Sequence, residues 1–360
     1  MKEIGVGVIG TGFARRVQIP AFAERDEFKL VSLASASIGN AKSVGESFGF
    51  AHITDDWRET VNHPDVDLLC ITTPPTTHRE MYLAALSAGK HLIAEKPMAM
   101  SLAEAEEMAD AARSHPNLLA IIDHELRFQD GRIKARDMIR RGEIGKIRHV
   151  RCTFKAPHRG DPDVAWAWWS DAEQGGGALG AIGSHSIDTL HWLLETDVSS
   201  VFCQLQTHIK SRRDGEGIER EVTSDDEANL ILRFRDGELV DDASATISVS
   251  MTEYPEYMNR TEIFGERGAL RIDALGELWV GRPDSSEWKP IDVDLGRALP
   301  GVPETGFSRA FVTMLPSVID ALRKGEANIE LAATFDDGVR IQRVLDAARE
   351  SNKTGARVSI

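Results

Sequence analysis

Cysteine is scarce. The chain of 360 residues has three, at positions 70, 152 and 203, with no CxxC spacing. An odd, scattered set excludes a disulfide framework and a cysteine-rich zinc site. Cys70 lies in the apolar run Leu68–Ile71 and reads as a core thiol. Basic charge is also short: 42 Lys and Arg stand against 57 Asp and Glu, a net charge of −15. That excludes nucleic acid and an anionic membrane surface as partners, since both demand a basic face. A small phosphorylated ligand in a local basic pocket is still allowed. No apolar run approaches the ~20 residues of a spanning helix. The stretch Met1–Ile9 is too short and too glycine-broken for a secretory leader. Repeats and low-complexity tracts are lacking. The expectation is a soluble, reduced, cytoplasmic protein with no metal.

What is present is a length that suits two domains. The first third alternates strands and helices, which points to a parallel sheet covered on both faces. Ile4–Ile9 reads as a strand, Gly10-Thr11-Gly12 as a tight turn, and Arg15–Glu24 as a helix. Such a turn brings main-chain amides and a helix N-terminus up to a pyrophosphate. The full G-x-G-x-x-G/A pattern is degraded, because Arg15 holds the third position and Ala14 lies one place early. After the second strand, Lys29–Ala34, an acid would hold the ribose hydroxyls of NAD. Here Ser35, Ala36 and Ser37 follow, with Lys42 further on. Hydroxyls without a carboxylate favour NADP over NAD; the alternative is that both serines simply begin the next helix. Val66–Thr72 is a buried strand, and Thr73-Pro74-Pro75-Thr76-Thr77-His78 turns from its end into the helix Arg79–Ala88. His78 caps that helix or borders the nicotinamide. Ser101-Leu102-Ala103-Glu104 is a capping box opening another helix, and Leu118–Ile122 is one more strand.

The stretch Leu92-Ile93-Ala94-Glu95-Lys96-Pro97 organises this half. A buried strand ends on an acid, a base and a proline. Lysine is seldom buried unless paired or used, and beside a cofactor it can move a proton. The plainer reading is a surface ion pair with Glu95. Taken with Gly10-Thr11-Gly12 and Thr73-Pro74-Pro75-Thr76-Thr77-His78, this stretch resembles the Gfo/Idh/MocA oxidoreductases, the family of glucose–fructose oxidoreductase and inositol dehydrogenase. The resemblance extends over nearly the whole chain. It implies a Rossmann domain followed by a domain with a large, mostly antiparallel open-faced sheet. It also implies a cofactor surface of Gly10, Thr11, Gly12, Phe13, Ala14, Thr73, Pro74, Pro75, His78, Glu95, Lys96 and Pro97. Lys96 would then reach the substrate carbinol, next to a cis Lys96–Pro97 peptide.

In the second half, Arg127 is a candidate for the substrate rim, with a helix-capping ion pair as the other reading. Three tryptophans fall within Trp166–Trp169. Trp169 is taken as pocket wall, because aromatics stack on sugar rings, although Trp also fills cores. The glycine run Gly175–Gly183 leads to Ser184-His185-Ser186-Ile187-Asp188. Helical spacing sets Ala181, His185 and Asp188 on one face. Much of the family has Asp-x-x-x-His here. This chain has Ala181 in place of that Asp and keeps His185, so a mechanism needing the Asp is in doubt. His191 reads as structural. From Val198 the pattern is strands, with hairpin turns at Asp236-Gly237 and Glu266-Arg267-Gly268. Lys210–Asp226 reads as an exposed charged hairpin, or less readily as a partner-facing arm.

The expected organisation is an NAD(P)-binding Rossmann domain over 1–123 and a substrate-binding and oligomerisation domain over 124–360. The last helix, about 336–351, is expected to pack back on the first domain. A second copy covering the sheet would give a homodimer or homotetramer. The expected activity is hydride transfer between nicotinamide, NADP before NAD, and a sugar, cyclitol or related polyol. Lys96 and His185 would handle the proton, and Lys96, Arg127, Trp169 and His185 would contact substrate. Two rivals are a hydrolase or lyase using nicotinamide transiently and a non-catalytic sugar or cofactor sensor.

Overall fold

A computed structural model describes residues 3–360. The chain forms two compact units. The first comprises residues up to Phe128 together with Gly296–Val339, and the second comprises Gln129–Leu295 and Arg340–Ile360. The crossover therefore falls at 128/129, not at 123. The chain also returns to the first unit earlier than expected. The returning helix is Gly306–Lys324, while the final helix, Phe335–Thr354, has only its first turn there and continues into the second unit.

In the first unit, strands β1 (Ile4–Ile9), β2 (Phe28–Ala34), β3 (His52–Thr54), β4 (Leu68–Ile71), β5 (His91–Ala94) and β6 (Ala120–Ile122) are all parallel, in the order β6-β5-β4-β1-β2-β3. Residues Ala333–Thr334 add an antiparallel edge to β6. Alternation on the pleat divides the apolar side chains between two cores. Leu68, Cys70 and Ile93 face a layer with Phe22, Phe311 and Leu315. Leu69, Ile71 and Leu92 face Tyr82, Met108 and Phe335. The returning helix Gly306–Lys324 thus covers one face, with Phe311 edge-on to Phe22 at 5.7 Å. The order reverses at β1, so the carboxyl ends of β1 and β4 open a crevice, where ligands bind in sheets of this kind.

In the second unit, the strands are β7 (Ile147–Lys155), β8 (Val198–Gln206), β9 (Ser211–Arg213), β10 (Glu219–Glu221), β11 (Glu227–Phe234), β12 (Val240–Ser250), β13 (Met258–Gly265), β14 (Ala269–Ile272), β15 (Leu278–Gly281) and β16 (Lys289–Ile291). The large sheet runs β16-β15-β14-β13-β7-β12-β11-β8, with Val358–Ser359 as a last edge. It is antiparallel except between β7 and β12. One face, with Val150, Ile247, Leu230 and Val201, is buried. The helix Asp130–Arg140 lies against β14 and β15, and the turn Leu179–Gly183 against β11 and β12. Strands β15 and β16 escape the alternating pattern, because they are short and contain Gly281 and Pro290.

The charged segment Lys210–Asp226 is an exposed hairpin of β9 and β10 at its tip, but its base is built in. Buried Arg212 donates to the carbonyls of Asp161 at 2.7 Å and Val164 at 3.1 Å, and to that of Arg159. Trp166 Nε1 donates to the Glu221 carbonyl at 2.9 Å. The hairpin is what holds the tryptophan loop in shape.

Candidate active site

The glycine turn meets the demands of a close ligand approach. Gly10 has φ of +98°, and a Cβ there would stand 2.7 Å from the Thr72 carbonyl oxygen, so only glycine fits. Around Gly12, a Cβ would meet nothing within 4 Å: its surroundings are open. The helix expected at Arg15–Glu24 begins at Ala14 with a wide turn of π type, Ala14–Gln18, closed by the Ile19 N–H on the Ala14 carbonyl, and continues as Ile19–Ala23. That turn explains the degraded pattern. Ala14 is the buried small residue against the sheet, while Arg15 points to solvent. Phe13, half-buried, precedes the first turn.

At the end of β2, Asn40 Nδ2 donates to Thr11 Oγ1 at 2.5 Å and to Ser35 Oγ at 3.0 Å, and the two hydroxyls lie 3.4 Å apart. Asn40 is a site residue that sequence reading missed. It lies in the first turn of the helix Ile38–Phe48 that follows the strand, with nothing in its neighbourhood to single it out. Ser37 caps the helix Ile38–Phe48, accepting from the Asn40 N–H at 3.5 Å, so its alternative reading describes what it does here. Lys42 is exposed on that helix. These features suit a dinucleotide: a glycine turn open to pyrophosphate, and a hydroxyl–amide cluster with no carboxylate where a ribose would lie.

His78 neither caps its helix nor offers a surface to a ligand. It is fully buried, with Nε2 2.9 Å from the Thr73 carbonyl and Nδ1 3.1 Å and 3.3 Å from those of Pro97 and Met98. Burial pulls its pKa down to about 4, against the opposite pull of those carbonyls. The ring is therefore neutral and has one N–H to give. It packs between the Thr73-Pro74-Pro75 loop and the Lys96–Met98 loop, donating to one of them, and stacks on Tyr82 at 4.8 Å.

Lys96 stands at the carboxyl end of β5, beside a cis peptide to Pro97. Its side chain is 19% exposed, and Nζ lies 3.9 Å from Glu95 Oε2. Glu95 is buried, so the plain reading of a surface pair is incorrect. Glu95 Oε2 also accepts the Lys96 main-chain N–H at 3.2 Å. Glu95 Oε1 accepts from Gln18 Nε2 at 3.2 Å, and the same amide donates to Asp123 Oδ2 at 2.7 Å. Gln18 Oε1 accepts from the Cys70 thiol at 3.0 Å, which fixes the amide orientation. Tyr82 OH donates to the Glu95 carbonyl at 2.9 Å. Burial raises the carboxyls of Glu95, Asp123 and Glu125, the last two well above the ordinary range. Gln18, Asp123 and Glu125 were not singled out from sequence. Among the described residues no group of three or more His, Cys, Asp or Glu could hold a metal ion.

Arg127 is not at a substrate rim. It is buried, 3.3 Å from Asp337 Oδ2 and 3.4 Å from the Ala332 carbonyl. Asp337 in turn accepts from the Thr334 N–H at 2.9 Å at the start of the last helix. The capping ion pair is the reading the structure supports.

In the second unit, His185 is buried in the first turn of the helix Ser184–Leu194, with Asp188 buried one turn on. A π-type turn, Leu179–Gly183, precedes it, and Ala181 within that turn is half-buried. The glycine run has a packing cause. Gly177 has φ of +116°, and a Cβ there would stand 2.3 Å from Asp225 Oδ1. Asp225 Oδ2 accepts the Leu179 N–H at 2.7 Å. Trp169 has the Arg159 guanidinium 3.6 Å over its ring.

Comparison with known proteins agrees with this geometry. Residues 4–122 match the oxidoreductase family with an NAD-binding Rossmann fold, and residues 133–271 match the GFO/IDH/MocA C-terminal domain. An uncharacterised oxidoreductase of Synechocystis is 32% identical over 270 residues, covering 74% of this chain and 71% of the relative. The levoglucosan dehydrogenase of Pseudarthrobacter phenanthrenivorans is 31% identical over 66% of each chain. A solved levoglucosan dehydrogenase in complex with NADH and levoglucosan superposes with a TM-score of 0.86 at 26% identity, covering 100% of this chain and 99% of that one. A Rossmann unit with an open glycine turn, followed by a large sheet unit, and matched by both family domains, makes this chain a member of the Gfo/Idh/MocA oxidoreductases, nicotinamide-dependent enzymes acting on CH–OH groups.

Proposed function

We propose that the protein oxidises or reduces a sugar, cyclitol or related polyol, with NADP preferred over NAD. The observation that carries this reading is Lys96, a partly buried ammonium beside a buried carboxylate at the crevice end of β5. Gly10, Thr11, Gly12, Phe13, Thr73 and Pro74 would hold the dinucleotide, and Thr11, Ser35 and Asn40 its ribose. The missing carboxylate at the end of β2 supports tolerance of a 2′-phosphate. When bound, the nicotinamide supplies or accepts the hydride. Lys96 gives a proton to the carbonyl oxygen during reduction and takes one from the hydroxyl during oxidation. Glu95, with donors on both oxygens, holds Lys96 in place. His185 is proposed, from the sequence, to hydrogen-bond the same oxygen.

The test is a turnover screen following nicotinamide absorbance, with NAD and NADP in both directions against polyols, aldoses, ketosugars, inositols and an anhydrosugar. The anhydrosugar is included because levoglucosan dehydrogenase is a relative. Turnover with NADP above NAD is expected. Silence with tightly retained cofactor would favour the transient-redox hydrolase or lyase. Silence without cofactor binding would sink the reading and favour a sugar sensor.

We further propose a second copy of the chain as the cover of the open sheet face. One row across that face runs Phe202, Ile231, Thr246, Arg151, Glu262 and Arg271 by strand register. Ile231 and Phe202 are paired neighbours, 53% and 38% exposed. Paired large apolar residues beside alternating charges suit a self-complementary contact. Ile231→Glu is expected to lower the mass seen by light scattering to that of a smaller assembly. An unchanged mass would remove this face from the interface.

A further inference from the structure

The three buried acids beside Lys96 pose a charge problem. Glu95 is 7% exposed, Asp123 1% and Glu125 2%. Three buried carboxylates cannot all stay ionised without counterions. The other titratable groups facing them are Lys96, Cys70, Tyr82, His78 and His124. Cys70 and Tyr82 are pushed well up by burial and stay un-ionised, and His78 is neutral. That leaves the Lys96 ammonium. His124, buried between the two acids in sequence, adds at most one more positive charge. At least one acid proton must therefore be placed within the cluster.

The hydrogen bonds say where. Both Glu95 oxygens already accept, Oε1 from Gln18 and Oε2 from the Lys96 main-chain N–H, with the Lys96 ammonium nearby. An oxygen that accepts from fixed N–H groups is a poor place for a proton, so Glu95 is the ionised acid. Asp123 Oδ2 also accepts from Gln18, but Asp123 Oδ1 is buried without a partner, as is Glu125 Oε2. Buried polar atoms are rarely left so, and a proton on one acid shared with the other satisfies both.

We propose, resting on the reading of Lys96 as the proton-transfer group, that Asp123 is a positioning residue that works as an un-ionised acid. Its proton sits on Oδ1 and is shared with Glu125. Its neutrality removes one negative charge from the cluster and leaves Glu95, 3.9 Å from Lys96 Nζ, as the ionised partner of Lys96. Gln18 is the clamp: it takes one oxygen of each acid out of proton exchange and keeps the two apart.

The test is infrared difference spectroscopy on the whole protein at pH 8, with wild type compared to Asp123→Asn and Glu125→Gln. A protonated-carboxyl C=O stretch is expected in the wild type, lost in Asp123→Asn and shifted in Glu125→Gln. Thermal melts supply a second readout. A carboxyl raised by folding loses stability as pH climbs above its ordinary value. The melting temperature of Asp123→Asn is therefore expected to gain on the wild type from about pH 4 upward. A third readout links the cluster to Lys96. Glu95→Gln is expected to move the rising limb of the kcat–pH profile for alcohol oxidation to lower pH by about one unit or more, and Asp123→Asn by much less.

No acid band at pH 8 overturns the proposal, as does a band that survives both variants. So does a shift in Asp123→Asn as large as in Glu95→Gln. Failure of Asp123→Asn to fold also counts against it, since an amide is close in shape and charge to the neutral acid. The infrared result needs no turnover. The proton assignment can therefore fail while Lys96 keeps its role, or hold while the turnover screen is silent.

Discussion

Lys96→Ala is expected to lower kcat by about 10²- to 10⁴-fold while the protein still binds nicotinamide cofactor. The reasoning starts from position. Lys96 follows a strand whose residues Leu92, Ile93 and Ala94 are fully buried, and that strand is the scaffold that aims it. The ammonium is 3.9 Å from Glu95 Oε2, too long for a strong charge-assisted bond. It is steadied by the carboxylate but not used up by it. The dinucleotide turn at Gly10–Gly12 is a separate element, so its affinity, measured by fluorescence titration, is expected to survive the substitution. Lys96→Arg sharpens the experiment. A guanidinium keeps the positive charge but does not give up its proton at working pH. If charge alone matters, Lys96→Arg retains much of the activity. If proton transfer matters, it falls nearly as far as Lys96→Ala. Near-normal turnover in both variants would take Lys96 out of the chemistry.

The parts of this molecule that could be read from the sequence are those written locally. Apolar runs bounded by glycine and proline gave the parallel strands, and alternation gave most of the large sheet. The glycine turn, the Thr73-Pro74-Pro75 loop and the Glu95-Lys96-Pro97 end are each a few consecutive residues, and each proved to sit at the carboxyl end of a strand. What could not be read is what depends on distant pairing. Gln18 joins Glu95 and Asp123, which lie 77 and 105 residues away from it. Nothing in a single glutamine on a short helix announces that. Arg127 finds its partner 210 residues on, so it was placed at a substrate rim as readily as in an ion pair. His78 looked like a cap because it begins a helix, and its true partners are carbonyls of the loop after β5. The return of Gly296–Val339 to the first unit was missed for the same reason. Amphipathicity shows that a helix has an apolar face but not which sheet that face will meet.

The ion pair between Arg127 and Asp337 carries the largest stability effect, and it is expected to be lopsided. The Arg127 side chain is 5% exposed and that of Asp337 20%. Truncating one partner of a buried pair costs about 3–5 kcal/mol, because the other charge is stranded. The two ends differ in how well they tolerate that. Without Arg127, Asp337 still accepts from the Thr334 N–H at 2.9 Å and the Thr334 hydroxyl at 3.1 Å, and it can take up a proton. Without Asp337, a guanidinium that cannot neutralise is left in the interior without that carboxylate. Asp337→Ala is therefore expected to reach the upper part of that range and Arg127→Leu its lower end, about 3 kcal/mol. The double variant Arg127→Leu/Asp337→Ala should cost less than the sum of the two. The pH dependence has a definite sign. Burial pushes the Asp337 carboxyl up, but Arg127 and the Thr334 hydrogen bonds outweigh it and hold the carboxyl below its ordinary value. Its contribution is present in full above the unfolded value of about 3.9 and disappears as pH falls through the lower, folded one. Denaturant melts of wild type and Arg127→Leu are thus expected to stand apart at pH 7 and to converge below about pH 4. A gap that persisted in strong acid would mean that Arg127 stabilises by packing its stem, and that the charge of Asp337 contributes little.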